Sequence, residues 1–376
     1  MSFVLFACVG FTFSANGESL KLVRTFRAGQ GQVKSLTFTS DNRYLIWNTG
    51  SSLHRHLIST GNQETQRCQQ LIDRLDAESF EDRQAAHIEL QQHGQEIEPI
   101  LRACLKDASR SREARQRSLV LLQSIMTPFG NGHQGEVRAI APGQNERALV
   151  ASAGRGGNVL LWQPNLGAPL RKLKAHEDGA WAVAFAPDQK ELASGGGDNA
   201  LRIWNLEDGA NRLTLTGHEN SIHDLAYSPD GTLLASAGSF DKTVRIWDPK
   251  QGKSIKVLHR ESEPMCVSFH PDGQQLAAAG YGSTLTVWDT KTWSATKTDL
   301  SIKGVRCLRY SPDGRWLAAG GDGEELFLIP ADSTSRDQIV AGGHRRGVLA
   351  MAFLGDGKTL ATGDAGGAVR LWEFEN

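Results

Sequence analysis

Tryptophan recurs from Trp162 onward at Trp204, Trp247, Trp288 and Trp372, with gaps of 42, 43, 41 and 84 residues, the last twice 42. Histidine pairs keep the same interval: Gly132-His133, Ala175-His176, Gly217-His218 and Gly343-His344. A period near 42 residues constrains the chain to a repeat architecture, in which each unit buries its apolar faces against its neighbours.

One unit reads as four short strands. After His218, the alternating run Ile222 to Tyr227 ends at Ser228-Pro229-Asp230-Gly231, where proline presets φ and glycine closes the turn. Leu233 to Ala237 make a second strand, Thr243 to Trp247 a third and Ser254 to Leu258 a fourth. Related turns recur at Pro187-Asp188, Pro271-Asp272-Gly273, Pro312-Asp313-Gly314 and Gly355-Asp356-Gly357. Four strands in about 42 residues describe one blade of a β-propeller.

Trp-Asp stands at Trp247-Asp248 and Trp288-Asp289, with variants at Trp204-Asn205, Trp162-Gln163 and Trp372-Glu373. On these residues the chain resembles the WD-repeat family over six consecutive units from residue 133 to the end. A weaker unit lies near residues 30–61, with His56 in the tryptophan place; Leu328 takes that place in the sixth unit. The resemblance implies buried tetrads joining loop histidine, second-strand hydroxyl, turn aspartate and third-strand tryptophan. It carries over to His176, Ser194, Asp198 and Trp204, and to His218, Ser236, Asp241 and Trp247, with fragments at His133, Ser152 and Trp162 and at His344, Thr362 and Trp372. An Asp–His pair also suits a catalytic dyad, but its recurrence in successive units favours a structural role.

The last unit lacks a fourth strand, and Leu20 to Arg27 parallels the fourth strand ahead of His218. The family closes its ring in this way, removing an edge open to aggregation. Setting aside 62–127 leaves 310 residues, which hold seven units of 42 with 16 over. The expected fold is therefore all-β: a seven-bladed WD-repeat β-propeller with a small all-α insertion. The expected division is 1–19 as an extension, 20–61 as closing strand and first blade, 62–127 as insertion and 128–376 as the remaining blades. Helical periodicity over about 64–76, 80–92, 96–107 and 111–126 predicts four helices. Asp82-Arg83-Gln84-Ala85-Ala86, Pro99 and Leu105-Lys106-Asp107 resemble HEAT-type repeats. Two hairpins are too few for a free solenoid, so the helices are expected to dock on the propeller, flanking the face opposite the histidine loops, with the first blade's fourth strand near Ile125 to Phe129. Arg110, Arg112, Arg115 and Arg117 read as a solvated helix face rather than a phosphate patch.

Lys+Arg 41 against Asp+Glu 42 gives a net charge of -1, without the basic surplus that nucleic acid or an anionic membrane attracts. Cys8, Cys68, Cys104, Cys266 and Cys307 are scattered without a CxxC, against a disulfide framework or a common zinc site. The apolar run Phe3 to Phe13 is too short to span a bilayer. It reads as a signal-peptide core within residues 1–15, implying a secreted or periplasmic protein, or as a strand turned at Asn16-Gly17. Phe13 is large for a cleavage flank and no Lys or Arg precedes the run, which favours the hairpin and a cytoplasmic protein.

Phosphate-loop, HExxH, nucleophile-elbow and dinucleotide motifs are absent, so no cofactor is expected. Gly154-Arg155-Gly156-Gly157 and Gly195-Gly196-Gly197 read as turn glycines, and His54 and His56 as ordinary strand residues lacking a third metal ligand. Variation among the units concentrates near the start of the first strand: Lys34, Arg138, Trp181, His223, Met265, Arg306 and Leu349. A second variable place carries Arg155, Phe240 and Tyr281. In the family both places ring the mouth of the channel, where aromatics and arginines serve as binding anchors or pack on adjacent blades. The expected function is a non-catalytic, monomeric scaffold binding protein or peptide on this rim, with the helices as a second surface. The alternative is an enzyme or small-ligand binder in the channel mouth, with Asp322, Glu324 and Arg345 as candidates.

Overall fold

The tight turn between first and second strands sets each hairpin. In blade 4, Ser228 Oγ donates to Asp230 Oδ1 at 2.6 Å and accepts from Leu233 N at 2.9 Å. Blade 6 repeats the pair with Ser311, Asp313 and Trp316. The closing residue has positive φ, as at Gly231 (70°) and Gly314 (73°), where glycine carries no Cβ penalty. Asn42 takes that place in blade 1 at 56°.

The computed structural model describes all residues except 1–11, 16–17, 28–30, 59–61, 93–96, 126–131, 145–147, 164–167, 301, 303, 333–338 and 376. The described strands form seven antiparallel sheets, the blades of a β-propeller. Blade 4 runs outward through Ile222–Tyr227, Leu234–Gly238, Thr243–Asp248 and Lys253–His259. Second strands such as Leu234–Gly238 are buried on both faces, because each blade is sandwiched between two others, while the fourth strand Ala295–Asp299 of blade 5 is exposed throughout. Most apolar clusters bridge consecutive blades: Ala235, Val244 and Ile246 of blade 4 pack with Val267, Leu276 and Trp288 of blade 5. The alanines let the sheets approach, and tryptophan fills the outer gap.

Blade 7 takes its fourth strand from the opposite end of the chain. Glu18–Arg27 pairs antiparallel with Ala368–Glu375, setting Leu22 opposite Trp372 and Phe26 opposite Val369. Thr12–Ala15 pairs with Glu18–Arg27 as a fifth strand. The intervening turn at Asn16-Gly17 lies outside the described residues, as does most of the apolar run read as a possible signal core. Across the seam, Phe26, Val33, Leu36 and Leu45 share a cluster with Ala350, Ala361 and Leu371. The ring is closed.

In blade 1 the register sets His56 opposite Leu45, as Trp247 lies opposite Leu234, so His56 does hold the tryptophan place. Blade 6 differs from expectation by one residue. Ile329, not Leu328, faces Leu317 there; Leu328 pairs with Ala318 and lies on the other face of the sheet.

The helices are α1 (Asn62–Arg74), α2 (Phe80–Gln92), α3 (Glu98–Lys106) and α4 (Arg112–Ile125), following the third strand of blade 1. They close their own core from Cys68, Leu71, Ile72, Leu75, Ala86, Leu90, Ile97, Leu101, Cys104, Leu121 and Leu122. No propeller residue among those described joins that cluster, so the core does not depend on docking. Arg110 ties the hairpins together through ion pairs to Asp73, Asp76 and Asp107. Ile125, expected to open a strand, ends α4; the rest of that expected strand falls within 126–131, outside the described residues.

Candidate functional site

The tetrads fix the loops around the channel. In blade 4, His218 Nδ1 lies 2.6 Å from Asp241 Oδ2 and Nε2 lies 2.6 Å from Ser236 Oγ, which also accepts from Trp247 Nε1 at 2.8 Å. Burial pushes Asp241 upward, but hydrogen bonds from His218 and Thr243 outweigh it and hold the carboxyl down at about 2. Blade 3 repeats the geometry with His176, Asp198, Ser194 and Trp204 and adds Arg202, whose Nη1 lies 2.7 Å from Asp198 Oδ2.

Blade 7 holds a complete network that the sequence reading left without its acid. His344 Nδ1 lies 3.0 Å from Asp364 Oδ2, its Nε2 2.9 Å from Thr362 Oγ1, and Trp372 Nε1 donates to Thr362 at 2.8 Å. Arg370 Nη1 donates to Asp364 at 2.7 Å. Asp364 stands two residues after the strand hydroxyl, where blades 3 and 4 carry Gly196 and Gly238. In those blades a Cβ would come within 2.3 and 2.2 Å of the imidazole. Blade 2 has Gly156 at the aspartate place, and His133 Nδ1 is buried without a hydrogen-bond partner among the described residues, its pKa pushed down to about 4 by burial and then by Lys172. Blade 1 replaces the network by Trp47 stacked on His54 at 5.7 Å, with His54 Nε2 2.6 Å from Thr49 Oγ1. Burial pushes His54 and His56 down to about 4. Among the described residues no cluster of three metal-ligating side chains occurs.

Register shifts occur at one place in the inner strand of six blades. The pairings skip Arg138, Trp181, His223, Met265, Arg306 and Leu349. Each is the extra residue of a β-bulge, and a bulge re-aims its side chain out of the ladder. With Lys34 of blade 1, all six line one central cavity of about 590 Å³. The sequence places are therefore brought together.

Their contacts run around the mouth. Lys34 Nζ lies 2.7 Å from Glu136 Oε1, and Arg138 Nε 3.2 Å from Glu136 Oε2, the latter off the line of a hydrogen bond. The Arg138 guanidinium lies 4.8 Å over the Trp181 ring, which stacks on His223 at 6.2 Å. Burial lowers the His223 pKa, and Arg138 lowers it further. Arg306 donates twice to Asp322, at 2.7 and 3.1 Å, and lies 4.7 Å over the Tyr281 ring. Asp322, the candidate acid of the enzyme reading, is thus held by Arg306. At the second variable place Arg155 is exposed, Phe240 is 59% exposed and Tyr281 39%. Trp181 packs between adjacent blades, whereas Phe240 projects into solvent.

Three residues deeper, the inner strands present Ala141, Ala184, Ala226, Ser268, Arg309 and Ala352 to the same channel. Arg309 is the long member of that tier. It reaches past blade 5 to donate to Asp224 of blade 4 at 3.2 Å, and the attraction of Asp224 raises its pKa. Its sequence signal is an arginine where the other units carry alanine, serine or threonine, and Asp224 is likewise an acid where they carry alanine, cysteine or serine; Glu136 has no such mark.

No helix among the described residues is long and apolar enough to cross a membrane. Among curated proteins none matches the chain. The family model described as the IFT122 first beta-propeller matches residues 179–376, just over half of the chain, from the third blade through the seventh. With seven sheets closed into a ring and the match spanning five of them, this chain belongs to the IFT122 first beta-propeller family.

Proposed function

We propose that the protein is a non-catalytic interaction scaffold that holds a protein or peptide partner on the top rim of the propeller, with the helical unit as a second surface. The carrying observation is the bulge shared by the inner strands of six blades, which aims six different side chains into one channel mouth. A repeated backbone device carrying non-repeated side chains is suited to recognition, since the fold needs the bulge but not the identity of the residue. Half-buried Trp181, exposed Phe240 and Tyr281, and Arg306 held over Tyr281 supply anchors that combine apolar area with polar tips. The family's propeller character agrees with this reading. On the helices, Phe80, Ile88 and Val120 are exposed on α2 and α4. Buried free thiols at Cys104, Cys266 and Cys307 suit a reducing, cytoplasmic setting.

The test replaces Trp181, Phe240 and Tyr281 together by alanine. Proteins captured from a native lysate by the parent should be lost while the variant still unfolds in one cooperative transition, its melting temperature lowered by no more than about 5 °C because truncating Trp181 removes packing between blades. Unchanged capture by the triple variant would remove the rim from the account.

A further inference from the structure

The mouth charges balance in one sector and not in another. Arg306 faces Asp322, and Arg309 faces Asp224, one carboxylate to each guanidinium. At blades 1 and 2, Lys34 and Arg138 share the single carboxylate of Glu136. Arg155 adjoins them: its backbone N–H donates to the Glu136 carbonyl at 2.8 Å. Arg155 also repels the Arg138 charge. Among the described residues no carboxylate forms an ion pair with Arg155. Three cations therefore surround one carboxylate, in a chain whose net charge is -1.

Burial is the largest influence on Arg138, pressing it toward deprotonation; Glu136 opposes this, and Arg155 adds to it more weakly. A guanidinium keeps its proton in proteins, so the strain is relieved by gaining an anion rather than by losing charge. Beside this surplus stands the flat Trp181–His223 stack, a platform for an apolar side chain.

Building on the rim reading above, we propose that the Lys34–Arg138–Arg155 sector receives a carboxylate side chain of an acidic, extended partner segment, whose neighbouring apolar residue packs on Trp181. The sector is compact and bounded by the Trp181 and His223 rings, and the net charge of the chain is -1, which disfavours a long polyanion such as nucleic acid.

The experiment measures fluorescence anisotropy of a labelled short peptide alternating glutamate and leucine, against versions with glutamine or lysine for glutamate. Arg155→Glu and Lys34→Glu change the charge without touching a blade core. The glutamate peptide should bind about tenfold more tightly than the other two and lose that margin in either variant. Its affinity should also fall as salt rises from about 50 to about 300 mM. Equal binding of the three peptides, preference for lysine, no binding of the glutamate peptide, or affinity unmoved by both charge reversals would each overturn the proposal. So would equal binding of a single-stranded DNA oligomer of the same charge. Failure here is separable from failure of the rim reading: if the Trp181, Phe240 and Tyr281 triple variant still loses its captured proteins, the rim stands and only the acidic partner falls.

Discussion

In blade 7 the carboxylate that orients the loop histidine comes from the end of the second strand, not from the turn beyond it. Burial acts to raise the Asp364 pKa, but His344, the Ala368 N–H and Arg370 outweigh it and hold the carboxyl at about 2, below its ordinary 3.8. A depressed folded-state pKa gives stability that is complete above the unfolded value and disappears as pH falls through the folded one. Asp364→Ala should therefore cost about 2–3 kcal/mol at neutral pH, because it strands buried Arg370 and His344, both under a tenth exposed. Urea titrations of parent and variant at a series of pH values check this: the gap should narrow between about pH 4 and pH 2. A gap that is absent at neutral pH, or that widens on acidification, would show that Asp364 is not the acid of this network. The sets of blades 3 and 4 were readable in the sequence because their aspartates occupy the turn place the repeat assigns. Asp364 was not, because at its offset five of the other units carry glycine and blade 1 carries Thr49, so none suggests an acid. The cross-blade pairings of Glu136 and Asp224 were hidden for another reason: Lys34 and Arg309 lie on other blades, at distances that chain spacing does not encode.

The helices were readable to within a few residues because a 3.6-residue apolar period contrasts with the alternation on either side. Their independence was not, since the same stripe can pack on a propeller or on a second hairpin. Facing hairpins with a shared Leu, Ile and Cys interior answer that question, and Arg110 clamps the open end with three carboxylates. Replacing residues 62–125 by a short flexible Gly/Ser linker should thus leave a folded propeller. The melting temperature of the propeller transition should shift by no more than about 3 °C, and far-ultraviolet circular dichroism should lose its helical component alone. Collapse of the excised protein into aggregate would mean that the helices cover propeller surface after all. The other miss at this scale is in blade 6, where the register puts Ile329 in the place that sequence spacing gave to Leu328.

Ring closure belongs to the whole molecule, because it joins segments separated by nearly the full length of the chain. The strand Glu18–Arg27 buries Leu20, Leu22 and Phe26, and each such side chain contributes about 1.5–3 kcal/mol. It also covers the edge of the strand that carries Trp372, an edge that would otherwise pair with other molecules. Deleting residues 18–27 should therefore yield insoluble protein, or lower the melting temperature by about 10 °C or more. The deletion alone does not separate loss of the ring from loss of a solubilising end, but the register supplies a control. Ser19 lies opposite Glu375 and Arg27 opposite Ala368, so the N-terminal end of the closing strand abuts the C-terminal end of its partner. The same ten residues, moved behind Glu375 through an Asn-Gly hairpin turn, can fold back into their own site without crossing the ring. That rearranged chain should recover solubility and most of the lost melting temperature, measured by light scattering and calorimetry. If it stays aggregated while the parent is soluble, the N-terminal strand contributes something other than closure of the seventh blade.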